Sequence, residues 1–317
     1  MVSIIVCTHN RADSLNKLCL ASISNLEYDN YEVVVIDDNS TDNTSQVVEK
    51  YKGIIKPLIY VKSTRKHCLS YLRNLGIKHS NGEILAFTDD DCIVDRYWLR
   101  EIVRPYLKQP DIMAVGGKAY IGNTKQTFNE EGDVFGLILG CNMSFRREIF
   151  KKFVFDEGVS YFGSMGDESD ILLRIKDKFR IFYNPNAVVW HFRKPAKYRK
   201  NEKFSMNVNC GYIYLKSLKI MDYYKIFFNV LLFGKETKIN APKRLIAELD
   251  SFRGIFSPKY FWSWHKLFIS ILILLFHAPI KAAIRSNLEK RIFSTNSGFE
   301  YLEQGKYKKN LVFKFFK

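Results

Sequence analysis

Glu32-Val33-Val34-Val35-Ile36-Asp37-Asp38-Asn39-Ser40-Thr41-Asp42 is the stretch that decides the architecture. Four consecutive β-branched residues between polar ends leave no side for water, so this strand is covered on both faces, as in a parallel sheet layered by helices. Ser40, Thr41 and Asp42 bring side-chain oxygens that accept free amide hydrogen bonds at a helix start, which makes 43–51 the helix returning over the sheet. Working outward, 2–7 reads as a second strand, and Leu15, Leu18 and Ile23 recur at near-helical spacing between the two. Segments 58–61, 70–79, 83–88 and 97–107 continue the alternation of strand and helix. After Pro110 the spacing predicts strands over 112–117, 136–145 and 187–190, with a helix over 167–178 that carries Ile171, Leu172 and Ile175 on one face. The expected fold class is α/β, a Rossmann-like open mixed sheet flanked by helices.

Composition sets the boundaries of that domain. The chain has 317 residues, of which 47% are apolar and 15% aromatic, with 17 Gly and 8 Pro, so disordered and collagen-like classes are excluded. Its net charge of +16 invites a nucleic-acid or anionic-membrane reading. Residues 1–191, however, carry 24 basic and 25 acidic side chains, whereas 192–317 carry 25 basic against 8 acidic ones and 25 of the 47 aromatics. The division predicts a near-neutral globular domain over 1–191 and a basic, aromatic-rich, mainly helical region over 192–317. The six cysteines are scattered without a CxxC pair and read as reduced core residues. Met1 runs directly into a strand pattern with no basic n-region, so no signal peptide and a cytosolic active site are expected.

Ligands of open α/β sheets bind where strands end and the chain turns away. Three strands here end in polar clusters: Thr8-His9-Asn10-Arg11, Asp37-Asp38-Asn39-Ser40 and Thr88-Asp89-Asp90-Asp91. Three adjacent carboxylates repel one another unless a cation, basic side chains or water neutralise them, and a divalent metal with phosphate oxygens is the simplest answer. The plainer alternative is a solvated turn capping the next helix. Neither GxGxxG nor GxxxxGK[ST] follows the first strand, so phosphate charge would fall to Arg11, Arg73 and a metal. Taken singly, each arginine reads more simply as a surface ion pair.

These motifs, with Arg73-Asn74-Leu75-Gly76 and Gly82-Glu83, stand in the order and spacing of family 2 glycosyltransferases of the GT-A fold, which residues 1–191 resemble. The resemblance implies inverting transfer from a nucleotide-diphosphate sugar, a UDP-sugar being favoured, with Mn²⁺ or Mg²⁺. It implies donor contacts from Thr8, Asn10, Arg11, Asp37, Asp38, Arg73, Asn74, Asp89 and Asp90, and a metal held by Asp91, Asp89 and His191. Gly140-Cys141-Asn142-Met143-Ser144-Phe145-Arg146-Arg147 is similar to the family's segment near donor sugar and acceptor, assigning Gly140 and Asn142 there. In Gly166-Asp167-Glu168-Ser169-Asp170 the family's usual Glu-Asp order is reversed. Position favours Glu168 as the base with Asp167 as its competitor, and Asp170 as an orienting or acceptor-binding group. An acidic pair at a helix start also complements the helix dipole.

The acceptor is expected to be a saccharide or lipid-linked saccharide of cell-surface polysaccharide or glycan synthesis. Uncharged except for His277, residues 267–280 form a helix pattern of ~21 Å, short of the ~30 Å hydrocarbon core. With Trp262, Trp264, Lys266, Lys281 and Arg285 around it, the pattern suits a helix at the cytoplasmic membrane interface, or one packed on the catalytic domain. The net charge of 192–317 adds to membrane attraction. A sugar nucleotidyltransferase would need a glycine-rich basic loop that Thr8-His9-Asn10-Arg11 does not provide. A non-catalytic carbohydrate or nucleic-acid binding module conflicts with the carboxylates of the first region, and no nucleic-acid partner is expected.

Overall fold

Strands β1 (Val2–Thr8) and β2 (Tyr31–Asp37) run parallel, with Val2 opposite Tyr31 and Thr8 opposite Asp37. The computed structural model describes residues 1–121, 124–125, 129–133, 138–159 and 166–192. Val33 and Val35 face one hydrophobic cluster and Val34 and Ile36 the other, so the four-residue apolar run is buried on both sides. At roughly 2 kcal/mol for each fully buried aliphatic side chain, that strand alone drives much of the layering.

β3 (Leu58–Lys62) adds parallel to β2, and β4 (Ile84–Asp89) adds parallel to β1. Beyond β4 the sheet becomes mixed. β8 (Met143–Arg146) is antiparallel to β4, and β6 (Ile112–Ile121) is antiparallel to β8. β9 (Arg180–His191) then runs parallel to β6, and β5 (Cys92–Val94) lies antiparallel to β9. The path is β3-β2-β1-β4-β8-β6-β9-β5, with β7 (Thr124–Lys125) hairpinned onto β6.

Helices cover both faces. One face receives α1 (Ala12–Ser14), a π-helical turn over Leu15–Leu20, α2 (Ala21–Ile23), α3 (Thr44–Lys52) and α5 (Trp98–Lys108), with Leu15, Leu20, Ile23, Val48 and Trp98 in its core. The other receives α4 (Leu69–Lys78), a 3₁₀ turn over Arg147–Lys151 and α6 (Asp167–Ile175) around Phe87, Phe145, Phe150 and Phe155. These four rings meet at centroid distances of 5.3 to 6.5 Å and make a stiff floor beneath the ends of β4 and α4. Gly76 lets α4 press on β1, because a methyl group there would collide with Ile5.

Early boundaries shift by a residue or so, while the later strands differ more. β6 continues through Gly116-Gly117 to Ile121, since those glycines admit Ile138, Asn142 and Ala187 rather than ending the strand. β9 begins at Arg180 instead of 187, carrying Pro185 in a bulge where the partner of Gly117 is Asn184 and that of Lys118 is Val188. The strand expected over 136–145 is limited, among the described residues, to Met143–Arg146, and Leu139–Asn142 form a tight turn instead. The expected helix over 167–178 stops at Ile175. The helices and interfacial segment expected in 192–317 lie outside the described residues, apart from Phe192. Among the described residues no helix is long and apolar enough to cross a membrane.

Candidate active site

Parallel pairing brings Thr8, Asp37 and Asp89 to one edge of the sheet, with Thr8 opposite Asp37 and Cys7 opposite Asp89. The first two loops are bonded to each other there. Asn10 takes φ 51° and receives the Thr41 amide at 2.7 Å on Oδ1, while its own amide donates to Ser40 Oγ at 2.9 Å. Asp37 is fully buried, accepting the Ser40 amide at 2.8 Å and the Tyr60 hydroxyl at 2.5 Å. Asp38 accepts the His67 amide at 2.7 Å. These two carboxylates build the turn at the strand end, where each Asp37 oxygen already accepts one hydrogen bond.

The acid triplet is neutralised by three cations from distant segments. Arg11 Nη1 donates to Asp90 at 2.9 Å and to Asp91 at 2.7 Å, and Thr8 Oγ1 donates to Asp90 at 2.8 Å. Arg73, on α4, is 4% exposed and meets Asp167 at 2.5 Å, Gly140 O at 3.2 Å and Asp89 at 3.8 Å, with its guanidinium over the Phe155 ring. His191 Nε2 lies 3.0 Å from Asp91 and 3.8 Å from Asp89. Phe192 secures this strand end by donating its amide to Asp91 O at 2.9 Å.

Burial and charge set the proton affinities. Burial raises Asp89 and pushes Asp90 up to about 6, although Arg73 and Arg11 respectively oppose the change. Asp91 moves the other way: burial works against its charge, but His191 and Arg11 hold it below the usual carboxylate range. Burial also opposes a charged His191, yet Asp91 beside it pushes the imidazole up to about 10. His191 Nε2 and Asp91 Oδ1 form a charge-paired contact at 3.0 Å, and His191 Nδ1 is buried without a well-aligned hydrogen bond. Carboxylate and imidazole donors converging with orphaned polar atoms fit a divalent cation.

Asp167 and Glu168 open α6 behind Gly166, whose φ of 97° requires glycine. Their environments separate them. Asp167 is 1% exposed and committed to Arg73, whereas Glu168 is partly exposed and close enough to act electrostatically on Arg73. Asp170 is fully buried and receives Arg174 at 2.6 Å, and Arg174 also donates to Val154 O at 2.7 Å. This arrangement ties α6 to the Val154 backbone through Arg174.

Residues 3–154 match the family model described as Glycosyl transferase family 2. These residues therefore carry a family 2 glycosyltransferase domain. A glucosyl-dolichyl phosphate glucuronosyltransferase of Haloferax volcanii is 25% identical over 219 residues, covering 60% of this chain and 68% of that protein. Other relatives are spanned over 18 to 37% of their own length. Among solved structures, S. aureus TarS 1–349 in complex with UDP-GlcNAc superposes with a TM-score of 0.55 at 19% identity, over 73% of this chain and 71% of that one. The mannosyltransferase PcManGT from Pyrobaculum calidifontis, in complex with GDP-Man and Mn²⁺, gives 0.50 at 18% identity, over 95% and 84%. The mixed sheet is thus the GT-A fold, and the chain is a glycosyltransferase.

Two further residues of this transferase make buried hydrogen bonds that brace the fold. Asn142 is fully buried, accepting Trp98 Nε1 at 2.8 Å and donating to Lys118 O and Ala187 O at 2.9 Å each. Asn74 is 2% exposed and clamps the Phe155 backbone through both N–H and C=O groups, at 2.9 and 3.0 Å. Gly140 acts through Arg73, because a methyl group there would lie 2.8 Å from the guanidinium. Sequence reading missed Cys92 and Cys141: with Asp89 and His191 they bring their ligand atoms within 4.8 Å of one another. A hydrogen bond from Cys92, helped by His191 against burial, lowers Cys141 to about 7. No spacing signal exists for a pair 49 residues apart in the chain.

Proposed function

We propose that this transferase moves a sugar from a nucleotide-diphosphate sugar, a UDP-sugar by preference, to a saccharide or lipid-linked acceptor with inversion at the anomeric carbon. The observation that carries the reading is the convergence of the acid triplet, Arg73 and His191 with a partly exposed Glu168 at one sheet edge. Asn10, Arg11 and Asp38 border the nucleoside end of this edge, and Thr8 holds Asp90 in place. Asp91, Asp89 and His191 would hold a Mn²⁺ or Mg²⁺ ion, which when bound supplies Lewis-acid stabilisation of diphosphate charge.

Glu168 is the proposed base. Inversion is a single displacement, so the acceptor hydroxyl must lose its proton as it attacks, and a carboxylate reachable from solvent can take it. Asp167 holds Arg73 charged and oriented, and that buried cation faces Asp89 where leaving-group charge develops. Residues 1–191 form the catalytic domain in this proposal. Residues 192–317 shape acceptor binding and attach peripherally to the cytoplasmic membrane face, where cell-surface polysaccharide or glycan precursors are built. The dolichyl-phosphate-linked substrate in the name of the Haloferax relative is consistent with a lipid-linked acceptor.

The full chain, stripped of metal and then given Mn²⁺, should be stabilised against heat by one nucleotide-sugar class in a panel containing UDP- and GDP-sugars. The matching donor should give an inverted product by NMR. Absence of stabilisation by every donor, or a product of retained configuration, overturns the reading.

A further inference from the structure

The catalytic edge has a soft side that a hard-cation transferase does not require. β5 pairs antiparallel with β9 so that Cys92 stands directly opposite His191. Cys141 arrives from the tight Leu139–Asn142 turn, which Asn142 pins with three buried hydrogen bonds and Gly140 sets against Arg73. Cys92 is fully buried and Cys141 3% exposed, while the His191 side chain is 10% exposed. One buried thiol is an ordinary core residue. Two thiols meeting an imidazole and a carboxylate, all within 4.8 Å of one another, form a metal-ligand set.

We infer that Cys92, Cys141, His191 and Asp89 form a thiolate site for a zinc-class ion, overlapping the proposed hard-cation position through Asp89 and His191. Tetrahedral zinc, with bonds of about 2.0 to 2.3 Å, places its ligands roughly 3.3 to 3.8 Å apart, so the set needs to close by about 1.5 Å at most. Sulfur and imidazole favour Zn²⁺ or Co²⁺, whereas Mg²⁺ and Mn²⁺ prefer the oxygens of Asp89 and Asp91. An independent observation points to a ligand here: His191 Nδ1 is buried without a well-aligned hydrogen bond, and the imidazole interacts with the Cys141 thiol. A thiophilic ion on this set withdraws two of the three groups proposed for the catalytic metal. Zinc should therefore inhibit transfer in competition with Mn²⁺, a consequence that rests on the proposed function, whereas the binding does not.

The test reads binding directly. Metal-free full chain, kept reduced by a phosphine, is titrated with Co²⁺. One equivalent should give a thiolate-to-cobalt charge-transfer band and the intense visible bands of tetrahedral cobalt, both abolished by Zn²⁺. Cys92→Ala and Cys141→Ala should each lose most of the band, and the double variant should bind zinc at least about a hundred-fold more weakly. The wild-type spectrum decides even if a variant folds poorly. Weak octahedral bands without charge transfer overturn the site, as does a charge-transfer band that survives in the double variant. If the band behaves as expected and no donor binds or reacts, the thiolate site stands and the transferase mechanism falls.

Discussion

Asp167→Asn and Glu168→Gln, made separately in the full chain, should fail in different ways. Asp167→Asn removes the charge that Arg73 meets at 2.5 Å, between side chains 1% and 4% exposed. Breaking a buried ion pair by deleting one partner costs roughly 3 to 5 kcal/mol, because the other charge stays buried. Arg73 still has Gly140 O at 3.2 Å and Asp89 at 3.8 Å, which places the loss near the lower limit, about 3 kcal/mol. For a domain of this size each kcal/mol moves Tm by roughly 2 to 4 °C, so Asp167→Asn should melt about 6 to 12 °C lower. Glu168→Gln changes a partly exposed side chain and should cost about 0.5 kcal/mol or less. Its transfer rate, however, should fall about a hundred- to ten-thousand-fold through loss of the base. Thermal melting of both variants, with nucleotide diphosphate release measured in Mn²⁺, checks the pair. Unchanged melting of Asp167→Asn, or transfer by Glu168→Gln within tenfold of wild type, refutes the division of roles.

Asn142→Ala strands Trp98 Nε1–H and the Lys118 and Ala187 carbonyls in the core, and at roughly 1 to 3 kcal/mol for each lost partner it should destabilise by about 4 kcal/mol. Donor affinity at low temperature should hold, and weakened donor binding with unchanged Tm would return Asn142 to a sugar subsite. Burial alone would raise the Glu32 pKa, but hydrogen bonds from the Ser3 hydroxyl at 2.6 Å and from the Asn81 amides hold it below 4.5. Its stabilisation is therefore present above pH 4.5 and lost as pH falls through the depressed value. Glu32→Gln should cost about 1 to 2 kcal/mol at neutral pH and progressively less in acid. Urea denaturation at several pH values checks this, and an equal cost throughout would rule the linkage out.

Arg11 and Arg73 illustrate how far residue patterns reach. Their assignment to phosphate charge comes from strand ends that lack a glycine-rich loop, yet in the structure both are committed to carboxylates of the site itself. Asp37 and Asn74 stand in motif positions and prove to be buried hydrogen-bonding groups that hold loops. Of β9 only 187–190 is legible in the residue pattern, because the bulge that carries Pro185 is set by its register against β6.

The sequence by itself determined the layered α/β sheet, the edge where polar strand ends gather and the division of charge at residue 191. Those properties depend on side-chain periodicity and composition within single elements. Only the tertiary structure decided that Asp167 is buried against Arg73 while Glu168 stays partly exposed, that Asn142 is a brace, and that Cys92, Cys141 and His191 meet. Each of those outcomes depends on strand register and on partners tens of residues away, and a buried group's charge and chemistry are set by what the fold places against it.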